Sequence, residues 1–343
     1  MQRLLYLVHG DSPRAQQELS YSVLSALKQG LGDCEILLAC DEANQRGDLP
    51  VTHRLLPPSR VASWQAQGIC GQLHVLHDVL AERRGPVCLI QTDTVFCAPP
   101  ARLFERIAEQ GALVLDRDGW LAGRRSWDAA LSETQSKGQK GLLAPGTEML
   151  NPGVIGLSTT LEACLTSAIS TLETLPESSP IAEREQFCFS AALSMSGIDP
   201  TFASAEVRRY QGPLRHVYHG RFDSMFPPGA PVNTALAPRL PEITEPPKPF
   251  LLRLRARAKR LATGSGLAFE SGYLAYLCAF AAPTATGRNV WANMALDWMQ
   301  RSHRDQVRLQ RDLPRLAPAR LASADLSPET RARWQVFWQG AAR

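Results

Sequence analysis

The stretch Gln91-Thr92-Asp93 contains Asp93, the carboxylate for which the surrounding sequence is most informative about possible chemistry. It follows the apolar run from Val87 to Ile90, which has the length and composition of a buried strand. An aspartate at the carboxyl end of such a strand can bind a divalent cation, and the cation can neutralise a diphosphate. The same aspartate can instead cap the turn that follows, and spacing alone leaves both interpretations open.

A turn at Asn151-Pro152-Gly153 is a second candidate position. Its glycine would let the backbone approach a ligand closely, and the asparagine amide can hydrogen-bond a hydroxyl group, although an ordinary turn has the same pattern. Glu185, in a predicted helix, can act as a general base or can be an exposed carboxylate beside Arg184. Asp116 and Asp118, after another short apolar run, are rival carboxylates.

Two histidines, His216 and His219, lie three positions apart just before a glycine. Either imidazole can bind a cation, and the pair can equally be two surface histidines without such a role. The apolar residues that follow His216 favour it slightly, because they predict that it lies at the end of a strand.

Alternating apolar and polar segments in the first 226 residues predict strands and helices in turn. The β-α-β-α-β order with apolar strands predicts a mainly parallel sheet flanked by helices, in which ligands bind at the carboxyl ends of the strands. Asp11, Asp41 and Asp93 all fall at or just past such ends. The predicted strands are 4–8, 34–40, 51–56, 87–91, 112–115 and 154–157, the predicted helices are 14–30, 61–83, 103–110, 161–175 and 183–195, and a long mobile loop is predicted at 116–148.

The remainder of the chain is predicted to be a proline-rich linker, 227–249, followed by a basic helical region, 250–343. The linker contains eight prolines and can alternatively be an extended arm that wraps the domain. The helical region carries 15 Lys and Arg against 6 Asp and Glu. Its first helix has an apolar stripe at helical spacing, which is typical of a helix at a membrane surface and also of a helix packed on the catalytic domain with its arginines in water. The stripe consists of Phe250, Leu254, Ala258 and Leu261.

Composition and length are those of an ordinary globular protein with one large domain and a helical appendage. The 343 residues are 44% hydrophobic and 20% charged. The eight cysteines form no CxxC pair, so we expect them to be buried and reduced, without a metal site. No apolar run is long enough for a signal peptide or a membrane span. We therefore expect a cytoplasmic protein, with the inner face of the membrane as an alternative location.

Six segments resemble, in the expected order, the motifs of GT-A-fold nucleotide-sugar glycosyltransferases. The resemblance covers residues 1–225, and no single motif in it is specific. The segments are the first β-α unit with Tyr6–Gly10 and Tyr21–Leu27, the second strand end Ala39–Asp41, the strand-DxD segment Leu89–Phe96, the N-x-G segment Met149–Leu157, the acidic-Gln pair Glu185-Gln186 and the late histidine segment His216–Gly220.

This resemblance implies a Rossmann-like catalytic domain over residues 1–226 that transfers a sugar from a nucleotide diphosphate to a hydroxyl acceptor. The implied donor is a UDP-sugar, and the implied acceptor is a glycan or glycolipid in surface polysaccharide synthesis. The implied cofactor is Mn²⁺ or Mg²⁺ bound by Asp93 with His216 or His219, and Glu185 would bind the sugar or act as base. The implied nucleotide-sugar pocket comprises Val8, His9, Gly10, Asp41, Gln91, Thr92, Asn151 and Gly153.

One departure from the family pattern concerns the cation. Gln91 replaces the first carboxylate of the DxD motif, which leaves Asp93 as its only carboxylate. Gln91 can still hydrogen-bond a ribose hydroxyl. Two alternatives follow: Asp93, a histidine and the diphosphate hold the metal, or the site is metal-weak and basic residues neutralise the diphosphate. The candidates for the second role are Arg124, Arg125, Lys137 and Lys140.

Two other functions compete with sugar transfer. A sugar nucleotidyltransferase would open with a glycine-rich phosphate loop and a lysine, and the segment His9-Gly10-Asp11-Ser12 has neither. A non-catalytic nucleotide-binding protein with a membrane-docking basic tail is the other alternative. The tail contains no recognised nucleic-acid-binding module, so we expect no nucleic acid partner.

Overall fold

The computed structural model describes residues 1–82, 84–120, 147–175, 184–227, 230–305 and 325–341. The chain divides into two compact units. The first unit takes residues 1–209 and 229–240, and the second takes residues 210–228 and 241–343. These divisions differ from the predicted boundaries at 226 and 249, because residues 210–228 group with the C-terminal helices and residues 229–240 group with the sheet.

The first unit contains eleven strands in its described residues, and seven of them form one sheet in the order β10-β6-β9-β4-β1-β2-β3. Strand β9 is antiparallel to β4 and β6, and the other neighbouring pairs in the sheet are parallel. The strands are β1 (Gln2–Val8), β2 (Cys34–Cys40), β3 (Thr52–Leu55), β4 (Val87–Ile90), β5 (Thr94–Phe96), β6 (Ala112–Val114), β7 (Arg117–Trp120), β8 (Glu148–Leu150), β9 (Val154–Leu157), β10 (Thr201–Phe202) and β11 (Val207–Arg209).

Helices flank both faces of this sheet. Side chains alternate along the buried strands, so Leu5 and Leu89 face one hydrophobic cluster, whereas Leu4, Tyr6 and Ile90 face the other. The predicted mixed α/β fold with a mostly parallel central sheet is therefore confirmed. The helices of this unit are α1 (Pro13–Gln29), α2 (Pro58–Gln67), α3 (Gln72–Ala81), α4 (Ala101–Gln110), α5 (Glu162–Thr174) and α6 (Arg184–Met195).

The single helix predicted at 61–83 is wrong, since the segment forms the two helices α2 and α3. Helix α2 ends at Gly68, which has a left-handed φ of 64°. Gly71, with φ of 78°, begins α3, and a Cβ atom there would lie 2.3 Å from Cε3 of Trp64. Glycine is required at this turn because any side chain would clash with the buried indole.

Two short antiparallel ribbons complete the first unit. Strand β11 pairs with β5, and this pairing sets Arg209 opposite Thr94. Strand β7 pairs with β8, so part of the predicted loop at 116–148 is strand. Residues 121–146 lie outside the described residues.

The first part of the proline-rich segment lies along the first unit. The Val232 N–H donates to Oδ2 of Asp48 at 2.6 Å, and Nζ of Lys28 donates to the Leu240 carbonyl at 2.8 Å. Between these contacts, Thr234–Arg239 forms a 3-10 helix against α1.

The second unit is helical in its described residues. Its core contains the buried side chains of Phe269, Trp291, Met299 and Trp334. The helices are α7 (Pro213–Met225), α8 (Phe250–Thr263), α9 (Leu267–Ala281), α10 (Ala285–Asp305) and α11 (Pro328–Ala341). Among the described helices of the chain, none combines the length and the apolar character that crossing a bilayer requires.

All eight cysteines are free thiols. Six of them are buried, as expected for small apolar side chains. The expectation is wrong for Cys70 and Cys97, which are exposed.

Candidate functional site

The carboxyl edge of the central sheet is where the candidate residues of the first unit collect. Strands β2 and β3 lie on one side of β1, and β4 lies on its other side, so the strand order reverses between β1 and β4. Ligands of open α/β sheets bind in the crevice at such a reversal, outside the carboxyl ends of the strands. Val8 ends β1 there, Cys40 ends β2, and Gln91 follows β4.

The loop after β1 is tied to the loop after β2 by a shared carboxylate. The Gly10 N–H donates to Oδ2 of Asp41 at 2.7 Å, and the Asn44 N–H and side-chain amide both donate to Oδ1. Burial opposes ionisation of Asp41, but these bonds outweigh it and lower the pKa of the carboxyl. The ionised Asp41 carboxylate therefore holds the loop around Gly10 in place through these hydrogen bonds.

His9 is held from the opposite side of the same loop. Its Nε2 lies 2.9 Å from the Cys70 carbonyl oxygen, and its ring centroid lies 6.0 Å from that of Trp64. The Cys70 carbonyl and the Trp64 ring thus position the histidine.

Gln91 and Thr92 are both engaged by side chains of neighbouring helices. The Gln91 amide donates to Oε1 of Gln72 at 3.2 Å, at the first residue of α3. The Thr92 hydroxyl donates to Oε2 of Glu18 at 3.2 Å, on α1. These two of the residues implied for the nucleotide-sugar pocket therefore lie at the carboxyl end of β4, with orientations set by hydrogen bonds.

Asp93 forms an ion pair with Arg209, a residue that the sequence patterns do not single out. Nε of Arg209 lies 2.9 Å from Oδ1 of Asp93, and the two side chains are only 20% and 8% exposed. The β5–β11 ribbon produces this contact, because it sets Arg209 opposite Thr94, the residue after Asp93. A largely desolvated pair of this kind interacts more strongly than a surface pair.

Asn151 and Gly153 belong to the same network. Nη1 of Arg209 donates to Oδ1 of Asn151 at 3.2 Å, and the Gly153 N–H donates to that oxygen at 3.0 Å. A Cβ atom on Gly153 would lie 2.8 Å from Cδ of Arg209 and from Cδ2 of Leu115. The glycine is therefore needed for the arginine to lie where it does.

Asp116 is a second carboxylate beside this network. Its backbone carbonyl accepts the Asn151 N–H at 2.9 Å, and its side chain also hydrogen-bonds Asn151. Burial raises the pKa of Asp116, and the nearby Asp118 adds to the rise, while Asn151 and Arg209 oppose it. Such a carboxylate accepts a proton more readily than an exposed aspartate.

Glu185, the predicted base, instead caps a helix in this structure. Its Oε2 accepts the Cys70 N–H at 3.0 Å, and its Oε1 accepts the Leu73 N–H at 3.3 Å. Both oxygens thus satisfy backbone groups at the start of α3, where N–H groups lack intrahelical partners. Burial raises the pKa of Glu185, although these bonds oppose the rise. Its predicted catalytic role stays a prediction.

The two histidines do not lie at a strand end, and that part of the prediction is wrong. His216 and His219 both lie on α7, in the second unit. Nε2 of His216 lies 2.8 Å from Oδ2 of Asp297, whose Oδ1 accepts Nη2 of Arg333 at 2.9 Å. Burial opposes ionisation of Asp297, but these partners outweigh it and lower the pKa of that carboxyl.

The contact between Asp93 and Arg209 would compete with binding of a divalent cation. The one carboxylate of the motif is already paired with a guanidinium, and that fixed positive charge would repel a metal ion at the same oxygen. Among the described residues, no three His, Cys, Asp or Glu side chains are grouped so that they could hold a metal. The alternative in which basic side chains neutralise the diphosphate stays a prediction. The basic residues predicted for that role, Arg124, Arg125, Lys137 and Lys140, lie outside the described residues.

Comparisons with known proteins add little to this site. No protein-family model matches the chain, and no curated protein matches it. Among solved structures, the chain is similar to the apo form of mouse xyloside xylosyltransferase 1, at 11% sequence identity and a TM-score of 0.38. The similarity covers 57% of this chain and 83% of the other. At this identity and TM-score, it assigns no activity to this chain.

Proposed function

We propose that the first unit is a nucleotide-sugar glycosyltransferase that moves a sugar from a nucleotide diphosphate to a hydroxyl acceptor. The observation that carries the proposal is the network of Asp93, Arg209 and Asn151 at the sheet edge where strand order reverses. It lies where a ligand of this kind of sheet binds, and it presents an oriented cation. The ordered GT-A-like motifs over residues 1–225 supply the class of substrate, with a UDP-sugar as the donor.

Arg209 has the chemistry that the leaving group requires. When the bond between the sugar and the diphosphate breaks, negative charge accumulates on the diphosphate oxygens, and a guanidinium stabilises it through charged hydrogen bonds. Asp93 and Asn151 hold this guanidinium at Nε and Nη1, so its orientation is set before the donor binds. The Asp93 carboxylate offsets part of the positive charge of Arg209. Its main contribution is therefore to position the arginine.

The remaining residues at the edge have complementary roles in this proposal. The loop of His9 and Gly10, clamped by Asp41, frames the nucleoside together with Gln91 and Thr92. Asn151 and Gly153 act on the donor through the arginine that they position. Their predicted direct contact with the donor sugar stays a prediction.

Asp116 is the carboxylate we assign to take the proton from the acceptor hydroxyl. It lies next to Asn151, and its raised pKa suits a general base. Glu185 is less suited, because both of its oxygens are occupied by backbone N–H groups. The products are the glycosylated acceptor and the free nucleoside diphosphate, with the acceptor proton on the base.

The test is hydrolysis of a panel of UDP-, GDP-, CMP- and dTDP-sugars by the full chain, with Mn²⁺ or with EDTA. We expect one donor to be hydrolysed in EDTA, and we expect Arg209→Met to abolish that hydrolysis. Arg208→Met is the matched control, since Arg208 is the exposed neighbour on the same strand. No hydrolysis of any donor under either condition would overturn the proposal.

A further inference from the structure

Helix α8 leaves its apolar stripe in solvent. Three large side chains of the stripe, Phe250, Leu254 and Leu261, are 70%, 49% and 66% exposed, and the neighbouring Leu251 is 75% exposed. Large apolar side chains at consecutive turns of one helix rarely remain exposed without a function.

The helix is anchored through its opposite face. Ala256 is fully buried, and α8 packs against α9. Nε of Arg260 forms an ion pair with Oε2 of Glu270 at 2.5 Å, which ties the two helices together. With about 100° between successive residues, Leu254 and Leu261 point away from the side of the helix that carries Ala256.

Basic side chains border the stripe on both sides. Arg253 and Arg257 lie along one edge, and Arg255 lies along the other, in the same helical projection. All three are exposed. Arginines in this position can extend their charged groups beside an inserted apolar face.

We propose that α8 docks on an anionic lipid surface, with its apolar stripe inserted between the acyl chains and its arginines among the lipid phosphates. The proposal rests on exposure and charge in the second unit, independently of the proposed sugar transfer. An apolar stripe flanked by arginines fits a lipid interface, where both parts find a matching environment. On a nucleic acid the same arginines would find phosphates, but the leucines would stay in water.

The test is cosedimentation of the full chain with vesicles of phosphatidylcholine alone and of phosphatidylcholine mixed with an equal amount of phosphatidylglycerol. We expect binding to the anionic vesicles and little binding to the neutral ones. The double variant Leu254→Glu/Leu261→Glu should lower the partition coefficient about tenfold or more. The charge reversal Arg253→Glu/Arg257→Glu should lower it by at least the same factor.

Val336→Glu is the matched control, because Val336 lies on α11 of the same unit and is 69% exposed. It adds one negative charge, against two in the double leucine variant, to a similarly exposed apolar position, and we expect it to bind like the unchanged chain. Equal binding to neutral and anionic vesicles would overturn the proposal, and so would unchanged binding of the leucine variant. Tighter binding to single-stranded RNA than to anionic vesicles, insensitive to the leucine variant, would assign the basic face to nucleic acid instead.

Discussion

Nε of Arg209 lies 2.9 Å from Oδ1 of Asp93, although 116 positions separate the two residues in the chain. The contact exists because β11 returns antiparallel to β5 and brings its last residue beside the end of β4. This contact affects how the motif Gln91-Thr92-Asp93 is interpreted. In the proposed function, this guanidinium supplies, next to the only carboxylate of the motif, the positive charge that a metal ion would otherwise provide.

Replacing Arg209 should therefore lower transfer activity strongly. We expect Arg209→Met to reduce kcat by about 100-fold or more, since removal of one preoriented donor to a developing oxyanion costs this much in enzymes. Arg209→Lys should recover part of the loss, because it keeps the charge and loses the planar geometry. Steady-state kinetics with the active donor measure both, and an unchanged kcat in Arg209→Met would contradict the assigned role. Arg208→Met should behave like the unchanged enzyme.

Gly153→Ala tests whether the position of the arginine matters, without changing any charge. The added Cβ atom would meet Cδ of Arg209 and Cδ2 of Leu115 at 2.8 Å, so one of them must move. We expect kcat to fall about 10- to 100-fold and the free energy of unfolding to fall by about 1–3 kcal/mol. Gly47→Ala is the matched control, because a Cβ atom there has no neighbour within 4 Å. If the two alanine variants have equal activity, Gly153 does not act through the arginine.

The variants Asp116→Asn and Glu185→Gln distinguish a carboxylate that acts as a base from a carboxylate that caps a helix. We expect Asp116→Asn to lower kcat by about 100-fold or more with little change in KM. Glu185→Gln removes the charge at the start of α3 and one of its two acceptor oxygens, so it should lower the free energy of unfolding by about 1–2 kcal/mol and leave kcat nearly unchanged. Urea unfolding and steady-state kinetics on both variants give the comparison. A large loss of kcat in Glu185→Gln with unchanged stability would return the base role to Glu185.

Asp48 gives a pH-dependent prediction about the proline-rich arm. Two hydrogen bonds from Arg46 outweigh burial, the Val232 N–H adds a third, and together they lower the pKa of Asp48 from 3.8 to about 2. A carboxyl whose pKa is lowered by folding stabilises the folded state at pH values above its unfolded pKa. This stabilisation is lost as the pH falls toward the pKa of the folded state.

Asp48→Asn should accordingly lower the free energy of unfolding by about 1–2 kcal/mol at neutral pH. The difference from the unchanged chain should shrink as the pH falls from about 4 to about 2. Urea unfolding across this pH range measures it, with the exposed Asp33→Asn as the control. A difference that stays constant over the range would show that the carboxylate charge is not responsible.

Much of the sheet could be predicted from local patterns alone. The predicted strands 34–40 and 154–157 have the observed bounds, because each is an apolar run that polar or turn residues end sharply. The sequence pattern does not predict the break between α2 and α3, since a glycine can also occur inside a helix and the left-handed conformations of Gly68 and Gly71 have no local signal. At Gly71 the indole of Trp64 leaves no room for a side chain, and this contact is not visible in the sequence pattern.

The candidate site, too, can be predicted from the sequence only in part. His9, Asp41 and Gln91 reach one edge of the sheet because parallel strands bring their carboxyl ends together, and this follows from strand order. A short apolar pattern predicts that His216 lies at a strand end, but Tyr218 and Phe222 are buried four positions apart, at helical spacing, on α7. Arg209 has no local signal, because its place beside Asp93 depends on pairing between two three-residue strands far apart in the sequence.

Nucleotide binding in the presence and absence of metal tests the central claim most directly. Thermal shifts of the full chain with UDP, GDP, CMP and dTDP, each in EDTA or in Mn²⁺, show whether one nucleotide stabilises the fold. They also show whether that stabilisation requires the metal ion. We predict stabilisation by one nucleoside diphosphate in EDTA, unchanged by Mn²⁺, lost in Arg209→Met and kept in Arg208→Met. Stabilisation that requires Mn²⁺ and persists in Arg209→Met would contradict the role of the arginine, and no stabilisation by any nucleotide would contradict the proposed function.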